Sequence, residues 1–490
     1  MKRKEFVLLL LLTLGALFVH GYHPAAEDAE IYIPNIVKIL HPSYYPFGQE
    51  FFNANAHLTL FPHLIAWLVR IMHASLDWVL FCGYVASVFL LLLACFRLAS
   101  KCFSTPAGQW GAVTMVACLL TLPVAGTSLY IFDQYLNPRS ISAFAVIFAI
   151  DAAVEHRHRR IAFWLLLTSV IHPFMTVFAV VFIALWLIQN RRSARAPSMA
   201  GASILSVAGF SLKAPSATYW RCLQDHRYYF LLRWTWYEWL GILAPFAILW
   251  WCKKLAERRG HSTLARLTWT IFVFELICFT AGLIVTIPHP LEILAPYQPM
   301  RSLQLVYLLM FLIIGGLLGE YVLKTHFLRW AVLFVPVAAG LCIAQVELFP
   351  ATRHVEWPGT APINPWLQAF VWIRGNTPTD AMFALDPNYM ALPEENYQGF
   401  RATAERSRLA DAKKDWSDAV LYPWLPLADD ISAQVEAAAG WKNFGTADFA
   451  RLKEAYGVSW IVIEKPGTNG LDCPYENVAL RVCRIANLQK

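Results

Sequence analysis

Long apolar runs, rather than amphipathic periods, set the pattern of this chain. Runs at Phe6–Val19, 77–98, 109–131, 139–154, 161–188, 199–213, 237–252, 265–287, 302–323 and 328–348 reach or approach the ~20 residues of a bilayer-crossing helix. His57–Met72 is apolar but interrupted by Pro62, His63 and Arg70, which predicts a juxtamembrane helix lying at the interface. Beyond residue 350 the pattern changes. Asn364–Gly375 reads as a helix stopped by Gly375, followed by a turn at Thr377-Pro378 and a strand at Ala381–Leu385. Helices at 430–439 and 446–455 and strands at Val458–Glu464 and Val478–Ile485 complete an α/β pattern, with Glu405–Asp418 a charged helical or looped segment.

Ile161–Ile188 carries the most information about topology. Basic clusters flank it, His158-Arg159-Arg160 before and Arg191, Arg192 and Arg195 after. A single helix would put one cluster outside, against the positive-inside tendency; a hairpin broken at His172-Pro173 keeps both inside. Each half is then ~14 residues or ~21 Å long, short of the ~30 Å hydrocarbon core, so it must be buried by neighbours or line a wet cavity. His172 is expected near the outer side. With the hairpin counted twice the crossings number about 11, which places the N-terminus in the cytoplasm and the tail outside. Lys2-Arg3-Lys4 before the first run, with Ala25-Ala26 after it, also fits a signal peptide; the later spans favour a retained helix.

Composition agrees with this division. The 490 residues are 58% hydrophobic and 15% charged, with mean hydropathy +0.46. Residues 1–350 carry 26 Lys and Arg against 16 Asp and Glu, and residues 351–490 carry 14 against 17. The expected domains are therefore a basic membrane body, 1–350, with a first outer loop and juxtamembrane helix at 21–76, and a small extracytoplasmic α/β domain, 351–490. The net +7 reflects topology, not nucleic-acid binding. Eight of the ten cysteines lie in the body as small hydrophobes; Cys473 and Cys483 would be a disulfide outside or free thiols in a reducing compartment. There is no Walker A loop, dinucleotide glycine fingerprint, His-Glu-x-x-His or Cys-x-x-Cys.

The candidate chemistry collects on the predicted outer face. Glu27, Asp28 and Glu30 sit within four residues just past the first span, Glu27 and Glu30 on one helical face. Such carboxylates can deprotonate an acceptor hydroxyl or hold a divalent cation (Mg or Mn), or simply solvate a helix end. Arg139, Arg301, Arg221, Arg227 and Arg233 also fall outside, where their forks match a phosphate or snorkel to headgroups. His172 is either a functional residue at membrane depth or a hydrogen-bonded cap on the proline break. Asp133 stands near enough to Arg139 in sequence to pair with it.

This arrangement resembles the GT-C class of membrane glycosyltransferases. Glu27-Asp28-Ala29-Glu30 stands where that class has its acidic motif, and the 161–188 hairpin looks like its paired short helices, with His172 at the turn. The run Trp372-Ile373-Arg374-Gly375-Asn376-Thr377-Pro378, with Tyr456-Gly457-Val458-Ser459-Trp460, is similar to tails of bacterial GT-C-like proteins. A Trp-Trp-Asp motif of oligosaccharyltransferases is absent. The resemblance implies inverting transfer of a single sugar from a polyprenyl-phosphate-linked donor to a glycan, lipid or protein acceptor at a bacterial inner membrane. Asp28 is the expected base, Glu27 and Glu30 its support, and Arg139, His172, Arg301, Arg227 and Arg233 the expected donor-phosphate ligands. Two other readings compete: a non-catalytic GT-C-like scaffold in envelope polysaccharide assembly, and a transporter or flippase of lipid-linked intermediates.

Overall fold

Glycines bring two helices of this chain into backbone contact. Pro106–Cys118 packs along Leu303–Leu318, and a Cβ on Gly111 would collide with the carbonyl oxygen of Gly315, as one on Gly315 would with that of Gly111. One turn on, a Cβ on Gly319 would collide with the carbonyl of Ala107. Ala107/Gly111 and Gly315/Gly319 are thus small residues four apart on facing helices, the spacing that permits close approach where burying apolar surface gives no drive. The structure, a computed structural model, describes residues 2–56, 58–190, 215–392 and 395–485. The chain divides into two compact units: Met1–Gly21, Cys82–Ser211 and Arg227–Gln345 in the first, Tyr22–Phe81, Leu212–His226 and Val346–Lys490 in the second.

The chain is a multi-pass helical membrane protein. Among the described residues, Leu76–Cys102, Trp236–Arg258, Ser262–Thr286, His289–Leu323 and Phe327–Leu348 are long and apolar enough to cross a bilayer. In the first unit Leu303–Leu318 is almost wholly buried, whereas Phe327–Leu348 leaves Phe327, Leu328, Val332 and Val335 exposed, a surface suited to lipid. The expected hairpin is present as His158–Ile171 and Pro173–Gln189, broken at His172. It folds against Pro138–Val154: Trp164 stacks on Phe148 with centroids 4.7 Å apart, and Trp186 Nε1 donates to Ala153 O at 3.1 Å.

The tally of about 11 crossings is not reproduced. The expected 109–131 span is a helix only as far as Cys118. Beyond it Pro123 and Gly126 favour turns, and Val124 N–H bonds Leu129 O at 2.8 Å, closing the segment on itself. The 199–213 span, with Arg191, Arg192 and Arg195, lies outside the described residues.

The second unit is built on a five-stranded sheet: β1 (Met382–Ala384), β2 (Ser407–Arg408), β3 (Trp460–Glu464), β4 (Asp472–Glu476) and β5 (Leu480–Arg484), in the order β2-β1-β3-β5-β4. β2, β1 and β3 run parallel, β5 is antiparallel to β3, and β4 to β5. Alternate residues face opposite layers. Phe383, Trp460, Val462 and Val482 pack under the Pro365–Asn376 helix, and Met382, Ala384, Ile461 and Ile463 against Thr446–Tyr456. A disulfide joins Cys473 on β4 to Cys483 on β5.

Residues 22–81, assigned from sequence to the membrane body, group instead with this unit. Their backbone explains why. Tyr22 N–H donates to His354 O and Glu356 N–H to Tyr22 O, both at 3.0 Å; Glu27 N–H reaches Tyr397 O at 2.9 Å and Gly399 N–H reaches Ala25 O at 2.8 Å. The Ala217–Asp225 helix joins them, Tyr219 Oη donating to Val420 O at 3.0 Å.

The glycine contact makes a direct test. Gly315→Leu should overpack the Pro106–Cys118 interface at a cost of ~3 kcal/mol or more, seen as a lower thermal midpoint in detergent, while Gly340→Leu, where an added Cβ meets open space, should change it little.

Candidate functional site

The Ala29–Leu40 helix begins inside the acidic cluster, and its first turn sends the three carboxylates to different surroundings. Glu27 has φ +56°, in the left-handed region that residues with a Cβ seldom enter, and the bond from its N–H to Tyr397 O holds it there. Strain of this kind gathers where geometry serves a function. Asp28 is the N-cap residue, an acid at the positive end of the helix dipole. Glu30, two residues on, turns into the interior and is fully buried.

Glu30 is wrapped by the tail. Its Oε1 accepts from Arg408 Nη2 at 2.8 Å and Nε at 3.1 Å, and from Arg401 N–H at 3.1 Å; its Oε2 accepts from Ala402 N–H at 3.0 Å. Gly399 admits this approach, because a Cβ there would lie 2.9 Å from that of Glu30. Arg401 forks onto Asp415 at 2.7 and 3.0 Å, while Arg408 also meets Asp415 at 3.0 Å and pairs with Asp411. The Phe51 and Phe52 rings cover the Arg401 guanidinium. The outer layer is wetter. Lys414 Nζ pairs with Glu27 and lies 3.0 Å from Asp28 Oδ1, with the Glu27 and Asp28 side chains 36% and 27% exposed. Glu30 is therefore a buried ion-pair anchor, and Glu27 and Asp28 are the members of the motif that solvent reaches.

Electrostatics follows from this layering. Burial pushes the Glu30 carboxyl up, against the pull of Arg408 and Arg401. Burial would lower Lys414, but Asp28 and Glu27 outweigh it and raise the ammonium, which stays charged. Arg401 and Arg408 outweigh burial at Asp415 and hold it down. Glu395, fully buried, is pushed well above its ordinary range by burial, against one hydrogen bond from Gln398 N–H and with Glu30, Asp411 and Glu27 adding to the rise.

The expected phosphate ligands lie in the first unit, and most are engaged there. Arg139 is buried with Nε 3.0 Å from Asp133 Oδ2, so the pairing foreseen as its alternative is the one formed. His172 accepts from Met175 N–H at 3.4 Å as the cap of Pro173–Gln189. Arg227 pairs with Glu238, and Arg233 stands 4.5 Å over the Phe230 ring. Arg301 donates to Gln298 Oε1 at 2.7 Å and lines a small cavity with Tyr228, Tyr229 and Thr286. Arg221, in the second unit, meets Ser432 at 3.3 Å.

Glu275, in the middle of Ser262–Thr286, was passed over in the sequence. It is fully buried and both carboxyl oxygens lack a hydrogen-bond partner among the described residues. An acid inside the run Phe-Val-Phe-Glu-Leu-Ile was the available signal. A divalent cation does not fit the acidic motif: Lys414 occupies the space between Glu27 and Asp28, and among the described residues no three His, Cys, Asp or Glu converge to hold a metal.

Fold and site thus define a multi-pass membrane protein whose first loop and C-terminal α/β region form one unit around a buried ion-pair cluster. No family model matches the chain, and no curated protein matches its sequence. Among solved structures it is similar to the archaeal oligosaccharyltransferase AglB from Archaeoglobus fulgidus, determined in complex with an inhibitory peptide and a dolichol-phosphate. The identity is 13% and the TM-score 0.36, over 94% of this chain and 69% of that one. That enzyme is of the GT-C class, which the sequence resembles. A TM-score below 0.5 is too low to carry an argument about chemistry, so the functional reading rests on the residues.

Two variants test the cluster. Glu30→Ala strips Arg408 of one buried partner and should cost ~3 kcal/mol in stability, measured by denaturant unfolding. A carboxyl raised by the fold contributes stability that is complete below its ordinary 4.5 and is lost as pH climbs through its folded value. Glu395→Gln should therefore raise the thermal midpoint more at pH 8 than at pH 5. His226, whose burial lowers it, acts in the opposite sense in both proteins and cancels in the comparison.

Proposed function

We propose that this protein is a membrane glycosyltransferase that moves one sugar from a polyprenyl-phosphate donor to an acceptor hydroxyl with inversion, on the extracytoplasmic side of a bacterial inner membrane. Asp28 takes the acceptor proton as the hydroxyl oxygen attacks the anomeric carbon. The bond from that carbon to the phosphate oxygen breaks, the polyprenyl phosphate leaves with the electron pair, and Asp28 returns the proton to water. Glu27 and Lys414 position Asp28, and Glu30 anchors the turn that carries it.

One observation carries this reading. Glu27, held in a left-handed backbone conformation, sets Asp28 at the start of the Ala29–Leu40 helix over a buried ionic network, a fixed mount for that carboxylate. The pairing of Glu27 and Asp28 with Lys414 favours a second reading, a non-catalytic GT-C-like scaffold, in which the cluster only fastens loop to tail.

The two readings separate on Asp28→Asn. Membranes carrying the variant should transfer sugar from a panel of polyprenyl-phosphate hexoses and pentoses at least ~100-fold more slowly than wild type, with unchanged abundance and thermal midpoint. Undiminished transfer in membranes of the folded Asp28→Asn variant would overturn Asp28 as the base, and no transfer by purified wild-type protein would leave the scaffold reading.

A further inference from the structure

The second unit holds a partly open cavity of about 790 Å³ that the catalytic reading does not use. Its size suits a whole small molecule rather than a few waters. One wall is apolar: Ile33, Val37 and Leu40 from the Ala29–Leu40 helix, Val69, and Leu80 from the start of the Leu76–Cys102 span. The other wall is polar. Two of its acids are already engaged, Glu356 as acceptor from His23 at 2.8 Å and Glu405 lying 3.6 Å from Arg374. Arg353 and Asp77, which also line the cavity, have no hydrogen-bond or ion-pair partner among the described residues.

The position of the cavity identifies its source of ligand. It lies between the beginning of a membrane-crossing helix and the end of the short apolar Phe61–Met72 helix. Around it Trp67, Ile71, Met72 and Trp78 are exposed, an apolar and indole-rich surface of the kind that rests at the bilayer interface. Arg70 Nη2 fixes this helix by donating to Ile39 O at 2.7 Å. A mouth bordered by such a surface is suited to a ligand drawn from a membrane.

We infer that this cavity binds a membrane phospholipid, its chain along Val37 and Leu80 and its head between Arg353 and Asp77. The arginine fork suits the phosphate, and Asp77 suits a hydroxyl donor beside it, so a glycerol-phosphate head is the fitting chemistry. The site is separate from the proposed reaction and stands whether or not Asp28 is a base.

Full-length protein in phosphatidylcholine nanodiscs doped with phosphatidylglycerol tests this by native mass spectrometry. Wild type should retain phosphatidylglycerol through delipidation. Arg353→Ala, an exposed position expected to fold, should weaken retention about tenfold. Val37→Trp, which fills the apolar wall, should abolish it, with the thermal midpoint checked for both. Millimolar inorganic phosphate should leave the retained lipid in place. Equal retention by wild type and the folded variants overturns the inference, as does a wild type that retains none. Displacement of the lipid by inorganic phosphate would show a free-phosphate site instead, and also overturns it.

Discussion

The second unit depends on one carboxylate. Glu30 is fully buried, and a lone charge in that position would cost several kcal/mol. The tail supplies two arginines and two backbone N–H groups, and Asp411 and Asp415 then satisfy what the arginines have left over. Each ion is tolerable only because the next is present. The arrangement is therefore costly to disturb at any one member, and it joins residues far apart in sequence into one rigid patch. The strained turn at Glu27 and the half-exposed Asp28 are the surface of that patch.

The membrane-embedded unit meets a different constraint. Lipid is as apolar as leucine, so its helices cannot be driven together by hiding apolar surface. Contact distance decides instead. Gly111, Gly315 and Gly319 remove the side chains that would hold two helices apart, and the buried Leu303–Leu318 helix sits where that contact is closest. Phe327–Leu348, with no such face toward its neighbours, stays at the periphery.

Much of this was legible in the sequence, and the exceptions have physical reasons. Apolar runs located most of the described helices, and basic clusters on both flanks of 161–188 placed the break at His172-Pro173, because charge and length together left few alternatives. The strands at 458–464 and 478–485 showed through their β-branched residues, and the one at 381–385 through the Gly375 stop and the Thr377-Pro378 turn before it. β4 was missed, since Asp472–Glu476 alternates half-buried and exposed residues with a proline inside. The 109–131 run failed because hydropathy does not register that Pro123 and Gly126 turn the backbone. Within the acidic motif, local spacing put Glu27 and Glu30 on one face but could not reveal partners that begin some 370 residues later. Burial, and hence the different standing of Glu30 from Asp28, is a long-range property. The pairing of Arg139 with Asp133 was within reach because both lie in one short segment.

That sequence separation has a consequence for how the protein is made. Arg401 and Arg408 follow Glu30 by 371 and 378 residues. At a synthesis rate of ~5–20 residues per second, the acidic turn waits roughly 20–75 s for its partners. Until then Glu30 has no counter-ion, Glu27 has no carbonyl at Tyr397 to hold its backbone, and Asp28 has no Lys414 beside it. The motif leaves the ribosome well before the residues that give it its shape. A chain that stops short of Lys414 thus carries the acidic residues without the geometry, and the site comes into being only once the segment from Tyr397 to Asp415 has been made.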